Sequence, residues 1–125
     1  MSVVYDAGAL IAADRSDRDV WADHRVRLEL GVAPLTTAPV VARVIRSGRQ
    51  AQLRRFLRGC DIVPFARDDG YEVGSLAGRS AQADVVDVHV VMVAHRHGFG
   101  VLTANQEDLR PVADALPARV PIFPI

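Results

Sequence analysis

The chain has 125 residues, 15 Lys+Arg against 15 Asp+Glu, 50% hydrophobic residues and a single cysteine, which is the size and apolar content of one domain with a sizeable core. That composition excludes a disordered chain, the absence of any run of about 18 apolar residues excludes a membrane-spanning helix, and a net charge of zero argues against a protein that coats nucleic acid non-specifically. Every basic residue is an arginine, so mechanisms needing a catalytic lysine are excluded, while the lone Cys60 and the lack of a basic-then-apolar leader point to a cytoplasmic setting without disulfides.

Taken in order, Ser2-Val3-Val4-Tyr5 reads as a short strand ending at Asp6, and residues 7–13 as a helix. A helix over 19–30 carries Val20, Trp21 and Leu28 and stops at Gly31; His24 on it reads as a surface residue. Residues 34–37 form a second strand, and Pro39 suits the first turn of a helix that buries Val40, Val41, Val44 and Ile45. Between Arg43 and Cys60 six arginines occur with no acid, and an amphipathic helix over 49–59 carries several of them. This run is either a solvated face or a phosphate-binding one.

A strand over 61–65 and a helix over 68–78 follow, then a helix over 84–97. His89 lies in its apolar middle, where a packed or partner-facing role is expected. Val101-Leu102-Thr103 is the next strand, 107–115 a short helix, and 120–123 a last extended piece at a sheet edge because of its prolines. Strands alternating with helices predict an α/β fold, a mostly parallel sheet flanked by helices on both faces, with residues 1–125 as a single domain.

In an open parallel sheet, sites form beyond the carboxyl ends of the strands. Asp6 follows the first strand, Thr103-Ala104-Asn105 follows a later one, and in Asp84-Val85-Val86-Asp87 the spacing puts both carboxylates on one face of a first helical turn. Taken singly, Asp84 and Asp6 read as helix caps and Asp87 as a first-turn acid. If the three segments converge, several carboxylates share one pocket and call for a hard divalent cation, Mg²⁺ or Mn²⁺ rather than Zn²⁺. Cys60 reads as a small core residue.

The order Val3-Val4-Tyr5-Asp6-Ala7-Gly8-Ala9-Leu10, Asp84-Val85-Val86-Asp87-Val88-His89, Val101-Leu102-Thr103-Ala104-Asn105-Gln106-Glu107-Asp108-Leu109 resembles the PIN domain, and most closely the VapC toxins of type II toxin-antitoxin systems, over essentially the whole chain. The resemblance implies a PIN-like fold and a Mg²⁺- or Mn²⁺-dependent endoribonuclease with an acidic cluster that holds the metal. It also implies a VapB-like antitoxin that blocks the site, and a homodimer or larger oligomer. Carried over by position, Asp6 and Asp87 are metal-binding carboxylates, Asp84 an auxiliary acid, and Asp108 a further catalytic candidate. The second acid of the pattern falls on Arg43 and the later aspartate on Asn105. Arg43 is expected either to pair with Asp6 or Asp87 in the space of a metal, or to hold a scissile phosphate; Arg46, Thr103 and Asn105 complete the expected RNA-contacting set.

The competing reading is a PIN-fold protein with weak or lost nuclease activity that binds RNA or an antitoxin without cutting. A phosphoacceptor receiver domain fits the size but relies on a lysine, and a haloacid-dehalogenase-type phosphatase needs Asp-x-Asp where this chain has Asp6-Ala7-Gly8. For contacts with a partner, the apolar residues around Trp21 and Leu28 are expected to be exposed.

Overall fold

The computed structural model describes residues 1–82 and 84–125. Five strands, β1 (Val3–Tyr5), β2 (Leu35–Thr37), β3 (Asp61–Val63), β4 (Gly100–Thr103) and β5 (Ile122–Pro124), alternate with helices α1 (Ala7–Asp14), α2 (Arg18–Glu29), α3 (Ala38–Val44), α4 (Ala51–Arg58), α5 (Asp69–Ser80), α6 (Val85–His97) and α7 (Gln106–Asp114). The sheet order is β3-β2-β1-β4-β5, and every pairing is parallel, where a mostly parallel sheet was expected. The last strand begins later than the sequence suggests and includes Pro124, which pairs beside Thr103. β5 is an edge with a single neighbour, where a missing N–H leaves no ladder bond unmade.

All three residues of β1 are fully buried, as the central strand of a sheet covered by helices must be. Residues 88–94 of α6 are buried as one continuous run, and α6 contacts β1, β2 and β4. Asp84 starts this helix as its N-cap, and Gly98 ends it with φ of 69°, a left-handed cap that glycine adopts without steric cost.

Two residues of α2 depart from the expected exposure. His24 is buried, not a surface residue: its Nδ1 lies 2.9 Å from the Tyr5 hydroxyl and its ring stacks on Phe56 at 3.9 Å between centroids. It sits four residues after buried Val20, on the inward face of α2. Trp21 is half-buried rather than exposed; its Nε1–H donates to the Ala13 carbonyl at 3.0 Å, and its ring meets Phe56 edge-on at 5.1 Å. Cys60 is half-buried with its thiol pushed up to about 12 by burial, an inert packing residue.

Asp69, buried at the start of α5, joins that helix to α6. Its carboxylate accepts from the Ala66 N–H at 2.7 Å and from the Arg96 guanidinium at 2.6 Å, and Arg96 also grips Glu72. These donors, the Ala66 N–H first, hold the Asp69 carboxyl below its ordinary value. A carboxyl depressed in the folded state contributes stability above its unfolded pKa and loses it as the pH falls. Asp69→Asn is therefore expected to reduce stability at neutral pH and to flatten the loss of stability below about pH 4. Chemical denaturation across pH measures this; parallel pH profiles for the two proteins would count against it.

Candidate active site

The strand order turns back on itself between β1 and β4, where the chain continues to β2 on one side and to β5 on the other. A crevice opens beyond the strand ends at such a point. Asp6 and Thr103, the residues that end or follow these two strands, face each other across it: the Thr103 hydroxyl donates to Asp6 Oδ2. Asp6 Oδ1 accepts from the Ala9 N–H at 3.0 Å, so this one residue caps α1 and projects into the crevice. At 4% exposure its carboxyl is pushed above the ordinary value by burial, against the pull of the Thr103 and Ala9 hydrogen bonds.

Gly8 lets these parts approach. A Cβ at this position would stand 2.7 Å from the Ala104 Cβ and 3.4 Å from Asp6 Oδ1. Gly8 lies in the first turn of α1, and the missing side chain is what allows that helix to lie against the β4–α7 turn.

Across the crevice, Asp84 Oδ1 accepts from the N–H groups of Val86 at 3.0 Å and Asp87 at 3.3 Å, which is N-capping as expected. The same carboxylate is gripped by both ends of the Arg43 fork, Nη1 to Oδ2 at 2.8 Å and Nη2 to Oδ1 at 3.3 Å. Arg43 thus pairs with Asp84 and not with Asp6 or Asp87. The pair holds the Asp84 carboxyl below its ordinary value and the guanidinium above its own.

Asp87, one turn further along α6, is half-buried and its carboxyl is pushed up to about 6, first by burial and then by the negative charges of Asp84 and Asp6. Asp108, in the first turn of α7, is exposed, and its carboxylate accepts from Asn105 Nδ2 at 2.6 Å. The Asn105 N–H in turn donates to the Thr103 hydroxyl at 2.8 Å. Asp6, Arg43, Asp84, Asp87, Asn105 and Asp108 line one cavity of about 360 Å³, with Gln82, Ala7, Gly8 and Ala104 completing its wall. Two larger cavities of about 480 and 520 Å³ lie elsewhere, and each is lined by only one carboxylate, Asp114 or Glu72.

Arg46 does not belong to this set. α3 ends at Val44 and the chain turns extended at Ile45, so the Arg46 side chain swings back onto the carbonyls of Ala42 and Ile45, both at 2.8 Å. Gln82 was not foreseen; its side chain bridges the Asp84 N–H at 3.2 Å and the Asp108 carbonyl at 3.0 Å, and its one sequence signal is a position two residues before a cap. His89 is fully buried beside Phe65 with neither ring nitrogen hydrogen-bonded, outside the cavity wall.

Among the described residues, no three His, Cys, Asp or Glu side chains are grouped so as to hold a metal ion. The expected convergence of Asp6, Asp84 and Asp87 on one cation is therefore not met as a three-carboxylate cluster, and Asp84 is committed to Arg43. Asp6 and Asp87 retain hard oxygen donors, and the Asp87 carboxyl is pushed up first by burial and then by the charges of Asp84 and Asp6, against the pull of Arg43. These two carboxylates suit a hard divalent cation.

No protein-family model matches the sequence, and no curated protein does. Among solved structures, the chain is similar to one described as the structure of FitAB bound to an IR36 DNA fragment, with a TM-score of 0.63, 16% identity and coverage of 98% of this chain and 94% of that one. At that identity the likeness concerns the fold. The parallel five-stranded sheet flanked by helices is a PIN-like fold.

Proposed function

Proceeding from that PIN-like fold, we propose that the protein is a Mg²⁺- or Mn²⁺-dependent endoribonuclease and the toxin of a type II toxin-antitoxin pair. The observation that carries this reading is the meeting of Asp6 and Asp87 in the crevice, with the Asp87 carboxyl pushed up to about 6 by burial and neighbouring negative charge. A protein that keeps such a repulsive pair at the carboxyl end of its central strand favours a cationic occupant. Structural caps alone do not require two carboxylates in one cavity.

In this reading Asp6 and Asp87 hold the cation, which when bound supplies Lewis-acid activation of water and neutralises phosphate charge. Asp6 is kept in one rotamer by the Ala9 N–H and the Thr103 hydroxyl, so its orientation is set before substrate arrives. In the same reading Asp108, whose carboxylate accepts from Asn105 Nδ2, receives a proton from the attacking water. Thr103 and Asn105 act by positioning these acids. The VapB-like antitoxin and the homodimer belong to the same proposal, and Val26, Leu28 and Leu30, which are exposed on or beside α2, offer apolar contacts.

Arg43 on Asp84 is the specific observation that favours the alternative, a protein that binds RNA or antitoxin without cutting. Incubating a labelled single-stranded RNA with the protein in Mn²⁺ and in EDTA separates the two. Cleavage in Mn²⁺ alone, lost in Asp6→Asn, is expected. Intact RNA in both conditions, with binding retained, would favour the alternative.

A further inference from the structure

We propose that Arg43 is a substrate-binding residue that clamps an RNA phosphate at the mouth of the acidic cavity, and that Asp84 is its positioning residue rather than a metal ligand. This rests on the nucleic-acid reading given above and assigns the phosphate contact within it. Arg43 is the single formal cation lining the cavity among the described residues, against the carboxylates of Asp6, Asp84, Asp87 and Asp108. A phosphodiester entering such a cavity meets repulsion from every charged wall residue except this one.

The geometry is that of an aimed donor. One edge of the guanidinium is fixed by the bidentate grip of Asp84, whose own rotamer is fixed by the α6 N–H groups it caps. Asp84 takes one N–H from each terminal nitrogen and leaves the Nε–H and the outer N–H groups as donors on a side chain that is 41% exposed, and these suit phosphate oxygens. The other arginines nearby are turned away: Arg46 folds onto backbone carbonyls, and Arg54 donates to the Ser47 carbonyl at 3.0 Å.

The test is fluorescence anisotropy with a labelled single-stranded RNA, in Ca²⁺ and in EDTA, over a series of salt concentrations. Arg43→Gln is expected to weaken binding about tenfold and to lower the salt-dependence slope by about 0.7. Arg43→Lys keeps the charge but not the fork, and is expected to remain at least about threefold weaker than the parent. Asp84→Asn keeps the helix cap and removes a negative charge from the cavity, yet is expected to weaken binding because the clamp loses its anchor. Parental affinity in Arg43→Gln or in Arg43→Lys would overturn the clamp while leaving the RNA reading in place, and tighter binding by Asp84→Asn would overturn the positioning role. Failure of the parent protein to bind RNA in either condition would remove the RNA reading and the clamp together.

Discussion

Replacing Asp87 by asparagine is expected to make the protein more stable and less active at once. The carboxylate is half-buried beside Asp84 and Asp6, and its raised pKa reflects the cost of keeping it charged there. Asparagine keeps the shape and removes the charge. It also forfeits a favourable interaction with the α6 N-terminus, a contribution of about 0.3–1 kcal/mol, so the net gain is about 1 kcal/mol, or roughly 3 °C in Tm for a chain of this length. RNA cleavage in Mn²⁺ is expected to fall by about 100-fold or more, since even residues that only support metal ligands carry effects of that order. Mn²⁺ should raise the Tm of the parent protein, by binding the folded state alone, and leave that of the variant where it was. Scanning calorimetry with and without Mn²⁺, beside cleavage rates, measures all of this. A variant that is destabilised and still cleaves would show that Asp87 serves only the helix.

Phe56→Ala is expected to produce the largest loss of stability of any single substitution considered. Phe56 is fully buried at the centre of an aromatic cluster, stacked on His24, tilted against Tyr5 at 5.0 Å and edge-on to Trp21. Truncation removes the ring's transfer free energy and opens a cavity between α2, α4 and β1, about 3–5 kcal/mol in total. Against a typical stability of about 5–15 kcal/mol this is a large fraction. The site is affected through the backbone, because Tyr5 precedes Asp6 directly and loses the ring that packs against it. Denaturant titration should show the midpoint falling at unchanged slope, and a shift of less than about 1 kcal/mol would mean that the cluster repacks around the gap.

Most of the architecture was legible because each strand and helix carries its own local signal. Asp6 after a β-branched run, Asp84 three residues before Asp87, and Thr103 closing another strand identified the corner of the molecule where side chains meet. Partner choice was less accessible. That Arg43 reaches Asp84 rather than Asp6 depends on how α3 and α6 sit across the crevice, a tertiary relation invisible in spacing. Arg46 follows Arg43 by one helical step, and periodicity would keep both on one face, but α3 stops at Val44. His24 reads as a surface residue by its polar type alone, although its spacing of four from Val20 puts it on the inward face of α2. Gln82 and Gly8 contribute by a bridge and by an absence of atoms, and neither leaves a compositional trace.

The pairing of β1 with β4 sets the order in which a newly synthesised chain can acquire its site. Asp6 leaves the ribosome 97 residues before the hydroxyl that orients it, which belongs to Thr103, and Tyr5 is likewise in register with distant Leu102. Until residues 100–108 have emerged, β1 lacks one of its flanking strands and the crevice has one wall. Closing a loop of that span is also slow relative to local helix formation. A nascent chain therefore carries Asp6 long before it carries the strand that completes the enclosure around it, and premature termination anywhere before β4 yields fragments without the assembled crevice.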